Sequence, residues 1–246
     1  DMTSFGGNGV NRPATGVSWN EAARFVNWLN TSQGFSPAYK FTTQPGDGGY
    51  NANSDISLWV SGDAGFNAAN PFRNSEARYF LPSVDEWYKA AYYNPTTGTY
   101  VDYPTGSDTE PTSVAGGTTA NTAVFGQMTA AGPADITIAG GLSFYGTMGQ
   151  GGNVHELEET EFDFVNDSSS SARGFRGGIW DASSLEMQSS SNRHKIVTPS
   201  IEDYVFGFRV ASVAVPEASQ LLFGGVVAVG LCGWRWLTRR HGQRSP

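Results

Sequence analysis

Thiol is almost missing from this chain. Of 246 residues one is cysteine, Cys232, in an apolar stretch near the C-terminus. No disulfide can form within the chain, and the rest of it has neither a cysteine-ligated metal nor a soluble thiol nucleophile. Imidazole is scarce too: there are three histidines, and only His155 and His194 precede the apolar stretch. Charged residues make up 15% of the chain and are unevenly spread. Before Pro216 there are 22 acidic and 11 basic side chains, a net of −11; from Pro216 onward one acid and four arginines give +3. So acidic a domain repels a phosphate backbone, which excludes nucleic acid as a partner. No period of 20–50 residues repeats. No G-x-S-x-G element marks Ser168 to Ser171 as a nucleophile site.

What is abundant points to one large domain, or one domain and a tail. Thirty-one glycines favour loops and short strands over a helical bundle, and seven Trp with fifteen Phe supply a core. Two stretches announce helices. Ser18-Trp19-Asn20-Glu21 is a capping box ahead of Ala22, Phe25, Val26 and Leu29 at helical spacing, so an amphipathic helix is expected over Ser18 to Asn30. Ser83-Val84-Asp85-Glu86 repeats the device before Trp87, Ala90 and Ala91, and that helix should stop before Asn94-Pro95. Short strands are expected at Ile56 to Val60 (as a hairpin), Tyr79 to Leu81, Asp135 to Ala139, Arg173 to Trp180 and Val205 to Ala211. Thr96 to Gly132 reads as loop.

The densest acidic run follows Gly151-Gly152-Asn153-Val154-His155-Glu156. Its glycines predict a tight turn. Glu158, Glu159 and Glu161 read as a solvated edge, and Arg176 and Arg209 as partners in structural ion pairs or in hydrogen bonds to backbone. Trp180, Trp59 and Tyr50 are rings that can stack on sugars or fill the core.

From Val215 a different regime begins, and a boundary is expected between domains 1–212 and 213–246. Leu221 to Trp234 carries no charge, and Arg235, Arg239, Arg240 and Arg244 follow. Counted over residues 218–237, with Arg235 snorkelling, the segment approaches the ~20 residues a bilayer requires, giving a transmembrane-type helix with its arginines cytoplasmic. Val215-Pro216-Glu217-Ala218-Ser219, the apolar helix and the basic end resemble a PEP-CTERM sorting signal, with Ala218 where Pro is usual. The resemblance implies a bacterial protein exported to the cell surface or extracellular matrix, transiently anchored in the membrane and processed near Pro216-Glu217 by an exosortase-like enzyme.

Five ordered blocks between Pro13 and Ala211 carry a second resemblance. They are Gly16-Val17-Ser18-Trp19-Asn20-Glu21-Ala22, Phe80-Leu81-Pro82-Ser83-Val84-Asp85-Glu86-Trp87, Gly152-Asn153-Val154-His155-Glu156, Arg176-Gly177-Gly178-Ile179-Trp180 and Gly207-Phe208-Arg209-Val210-Ala211. They resemble the formylglycine-generating enzyme (sulfatase-modifying factor) family. The resemblance implies an α+β, C-type-lectin-like fold that is loop-rich, with two short helices and short antiparallel strands. It also implies that the family's first part lies upstream of Asp1.

Family activity is oxidation of a sulfatase cysteine at a copper-binding cysteine pair between the fourth and fifth blocks. Here Asp181 to Phe206 holds serines and Met187 but no cysteine, and soft Cu(I) needs thiolate or thioether ligands. Copper and catalytic residues are therefore not carried over. The resemblance also implies calcium at Gly152, Val154 and Glu156, with Gly149 standing where a ligand side chain is missing, and at Asn121 and Thr122. His155 stands where the family has Trp, and a partly exposed imidazole is expected there. The leading expectation is a non-catalytic surface module binding polysaccharide or protein. The alternatives are a divergent metal-dependent oxidoreductase around His155, Glu156 and His194, and a display scaffold with a variable ligand face over Asp181 to Ile196.

Overall fold

The computed structural model describes residues 2–190, 194–195 and 198–213. The chain divides into two units, Asp1–Ser212 and Val213–Pro246. The sorting box Val215 to Ser219 and the expected membrane segment lie outside the described residues. Among those described, no helix is long and apolar enough to cross a membrane.

Two helices form where the capping boxes predict them. Helix α1 (Trp19–Thr31) is capped by Ser18, whose hydroxyl accepts from the Glu21 N–H while the Glu21 carboxylate accepts from the Ser18 N–H. Helix α2 (Val84–Tyr92) is capped in the same way by Ser83 and Glu86. The buried stripe of α1 is not the predicted one. Trp19, Ala22, Ala23 and Val26 face the core, whereas Phe25 is 43% exposed. Arg24 reaches out to the backbone carbonyls of Thr43, Asn51, Ala52 and Ser54, and Phe25 beside it packs against Trp28 and Phe208.

Among the described residues twelve short strands follow in chain order: β1 (Lys40–Phe41), β2 (Ile56–Ser57), β3 (Tyr79–Phe80), β4 (Tyr93–Asn94), β5 (Thr99–Tyr100), β6 (Thr112–Ser113), β7 (Thr122–Ala123), β8 (His155–Glu161), β9 (Arg173–Arg176), β10 (His194–Lys195), β11 (Phe206–Gly207) and β12 (Ala211–Ser212). The central sheet runs β10-β9-β8-β11. Antiparallel pairing dominates, but β11 joins β8 in parallel, as β6 joins β7.

Several sequence expectations change here. Ile56 pairs with β1 across a long loop rather than in a tight hairpin. Asp135 to Ala139 forms no strand; only isolated bridges at Ala139 and Gly140 remain. Val205 to Ala211 divides in two, because β11 follows β8 while β12 crosses to β3. Strand β9 ends at Arg176, since Gly177 and Gly178 have φ of 102° and 75°. The stretch Thr96 to Gly132, expected to be loop, holds β5 to β7.

The main core joins the α1 stripe to Tyr39, Phe72, Phe80, Leu81, Leu157, Phe175 and Phe206. A second cluster sets Trp180 against Val124 and Val154. Between them runs the turn that aims β8. Gly152 and Asn153 are both left-handed, with φ of 71° and 64°. Asn153 is buried, and its side-chain amide grips Ala134 by accepting from the N–H and donating to the C=O.

Gly152 is required on two counts: its positive φ, and the Val124 carbonyl oxygen 2.1 Å from where a Cβ would stand. Gly146 has φ of 75° but open space around it. Gly146→Ala is therefore expected to cost about 1 kcal/mol of backbone strain. Gly152→Ala should cost clearly more, because backbone must shift as well. Urea unfolding of the two variants checks this, and equal midpoints would contradict it.

Candidate functional site

Strand β8 is buried along its whole length, and Glu158, Glu159 and Glu161 are fully buried. The expected solvated acidic edge is thus wrong. Glu159 is met by Tyr39, Asn70 and Arg73, 86 to 120 positions away, which no local charge pattern reveals. Side chains alternate across the strand. Leu157 and Glu159 face the α1 core; Glu156, Glu158 and Thr160 face α2.

On the α2 side, Glu156 accepts from the Trp87 indole N–H at 2.6 Å and from Nε and Nη2 of Arg209, both at 2.5 Å. Glu158 pairs with Nε of Arg176 at 3.2 Å, and that guanidinium lies over Tyr88. On the other side, Glu159 accepts from the Tyr39 hydroxyl (2.7 Å), Arg73 Nε (2.8 Å) and the Asn70 amide (2.5 Å). Glu161 stands opposite Arg173 in register and accepts from the Ser168 N–H. Arg173 is wholly buried, stacked over Phe72 and Trp19, and donates to the Glu159 carbonyl. The sequence reading found Arg176 and Arg209 but missed Arg73, Tyr39 and Trp87, because these three sit far from β8 in sequence.

The electrostatics follow from burial. The Tyr39 hydroxyl is held well above the usual phenol value, first by burial and then by the Glu159 carboxylate. Burial works to lower Arg73, yet Glu86 and Glu159 outweigh it and raise its pKa. Burial likewise works to raise Glu86, and Arg73 with the cap N–H reverses the sign, leaving Glu86 below the ordinary 4.5.

His155 is 8% exposed rather than partly open. It packs on Phe175 at 4.7 Å, with Nε2 3.7 Å from Glu186. Its position on β8 faces Phe206 in register, while His194 on β10 faces Phe175 by backbone pairing. Among the described residues no three His, Cys, Asp or Glu side chains converge as a metal set.

The positions tied to calcium are partly brought together. Gly149, Val154 and Glu156 line one pocket of about 230 Å³, which Arg209 lines too. Asn121 and Thr122 are not among the residues lining that pocket. Asn121 accepts from the Thr105 hydroxyl, and the Thr122 carbonyl accepts from the Gly141 N–H. The Glu156 loop does not fit a hard dication, because the Arg209 guanidinium already holds both carboxylate oxygens and would repel a second cation.

A cleft of about 450 Å³ lies on the outer side of α1. Trp28, Phe41, Tyr50 and Trp59 line it, with Arg24 and Lys40. Two of the three rings marked for sugar stacking, Trp59 and Tyr50, thus meet at one place. The third, Trp180, does not: it is fully buried and its indole donates to the Thr129 carbonyl. Trp28 was missed because helical periodicity alone did not place it on an outward face.

Residues 5–214 match the family model for the sulfatase-modifying factor enzyme 1-like domain. No curated protein matches the chain. Among solved structures, the fold is similar to Treponema denticola variable protein 1, at 20% identity and a TM-score of 0.56, covering 85% of this chain and 76% of that one. It is also similar to the crystal structure of CarF, at 20% identity and a TM-score of 0.54, covering 87% and 72%.

Arg73→Met strands the buried Glu159 carboxylate and is expected to lower stability by about 3–5 kcal/mol in urea unfolding. Glu86 gives a pH signature. Its lowered folded pKa contributes stability that is complete above 4.5 and lost as pH falls through the folded value. Glu86→Gln should therefore flatten the acid limb of a melting-temperature profile and leave its shape near neutral pH alone. An unchanged acid limb would contradict the pairing with Arg73.

Proposed function

We propose that this chain, which belongs to the sulfatase-modifying factor enzyme 1-like family, is an exported, surface-associated, non-catalytic module that binds polysaccharide or protein of the extracellular matrix. One observation carries the reading. The interval Asp181 to Phe206, where the resemblance places the copper-binding thiols, contains no cysteine, and the chain's single one is Cys232. Around that interval the frame persists: β8, its arginines and both capped helices are complete. A scaffold that keeps its costly buried charges but not its thiols supports recognition better than oxidation. No step of this reading runs through calcium or copper.

The purified chain, incubated with copper and a sulfatase-type cysteine peptide, is expected to yield no aldehyde, and to be retained on exopolysaccharide or on matrix protein. Turnover of the peptide sinks the reading.

The tail completes it. We propose processing near Pro216-Glu217, supported by the order of the Val215 to Ser219 box, the apolar stretch and the basic end. Mass spectrometry of the C-terminus should find loss of the segment beyond the box in cells with an exosortase-like enzyme, and an intact chain in cells without one. An intact tail in both would refute it.

A further inference from the structure

We infer that the cleft on the outer side of α1 is a binding site for a neutral polysaccharide. The inference rests on reading the chain as a binding module, and it adds the place and the ligand class.

The first support is the lining. Trp28 is 61% exposed beside the partly buried Tyr50 and Trp59, so three amphipathic rings border one concavity of about 450 Å³. That volume falls in the range of about 300–1,000 Å³ typical of ligand sites. Sugar rings present apolar C–H faces to such a surface and hydroxyls to its edge. The exposed Thr31 hydroxyl and Gln44 amide stand at that edge.

The second support is charge, which separates neutral from acidic chains. Arg24 and Lys40 line the cleft, but neither is available to a uronate or a sulfate. Arg24 donates to four backbone carbonyls between Thr43 and Ser54, and its guanidinium lies 3.9 Å from the Phe41 ring centroid and 4.9 Å from that of Tyr50. Lys40 Nζ is 2.7 Å from Asp63, whose other role is to accept the Val60 N–H. Both cations therefore build the wall: the Arg24 N–H donors are spent on carbonyls, and Lys40 is paired with Asp63. The net −11 before Pro216 adds repulsion toward any polyanion.

The third support is rigidity. The same Arg24 bonds fix the loop that carries Tyr50, and the Trp59 indole N–H donates to the Ala38 carbonyl at 3.0 Å. A platform held in place before the ligand arrives loses less ordering entropy on binding.

Affinity electrophoresis of the full chain tests this, with barley β-glucan as the neutral probe and alginate as the acidic one. β-Glucan should retard the chain equally at low and high salt. Trp28→Ala should weaken the retardation about tenfold or more, as expected for an anchor residue, and Trp28→Phe should restore much of it. Trp28 is exposed, so its loss should leave the melting temperature unchanged, which separates binding from folding. Retardation by alginate that fades with salt overturns the neutral class and leaves the module reading standing. β-Glucan retardation indifferent to Trp28→Ala overturns the site. Retardation by neither probe, with Trp28→Ala abolishing retention on a matrix protein, assigns the cleft to protein and overturns the inference. Retardation by neither probe together with copper-dependent peptide turnover overturns both readings.

Discussion

Everything in this fold hangs on a run of carboxylates that ought not to be inside a protein. Burying an ionised carboxylate costs several kcal/mol even after relaxation, unless opposite charge and hydrogen bonds meet it. Strand β8 places Glu156, Glu158, Glu159 and Glu161 in that position. Arg209, Arg176 and Arg73 pair with the first three, and Arg173 lies across from the fourth. The arginines come from β9, from the link between β11 and β12, and from the loop before β3. Each ion pair thus fixes the approach of a separate segment to one strand, and the geometry that satisfies the charges also sets the topology.

The helices are tied to the same strand by polar bonds as well as by apolar packing. The Trp19 indole donates to the Glu158 carbonyl, and the Trp87 indole donates to the Glu156 carboxylate. Asn30, near the end of α1, accepts from the N–H groups of Arg78 and Tyr79 and donates to the Tyr79 carbonyl. Most strands here are two residues long and cannot hold register by ladder bonds alone. Side-chain amides, indoles and guanidinium groups carry the register instead, which explains how so loop-rich a chain keeps one structure.

Legibility in the sequence followed the range of the interaction. Both helices were readable because a capping box is complete within four residues. The turn at Gly152 was readable for the same reason, and five ordered blocks sufficed for the family and its fold. The acidic run was misread because charge in a strand normally signals exposure. The residues that reverse that rule, Arg73 and Tyr39, lie 86 and 120 positions away from Glu159. The candidate binding site was half legible. Aromatic type marked Trp59 and Tyr50, but only the structure shows that Trp28 joins them at one cleft, and that Trp180 is core.

The division of labour between charges bears on function. On the β8 side Arg209, Arg176 and Arg73 are each paired with a buried carboxylate, so none of the three can change role without stranding that charge. On the α1 side, Arg24 and Lys40 are committed to backbone and to Asp63, close to the surface, where rings rather than ions meet solvent. The proposed recognition by ring faces calls on neither a poised charge nor a thiol. A frame rigidified by internal ion pairs holds its shape whatever residues its loops carry, and shape with exposed aromatic surface is what the proposed neutral ligand would read.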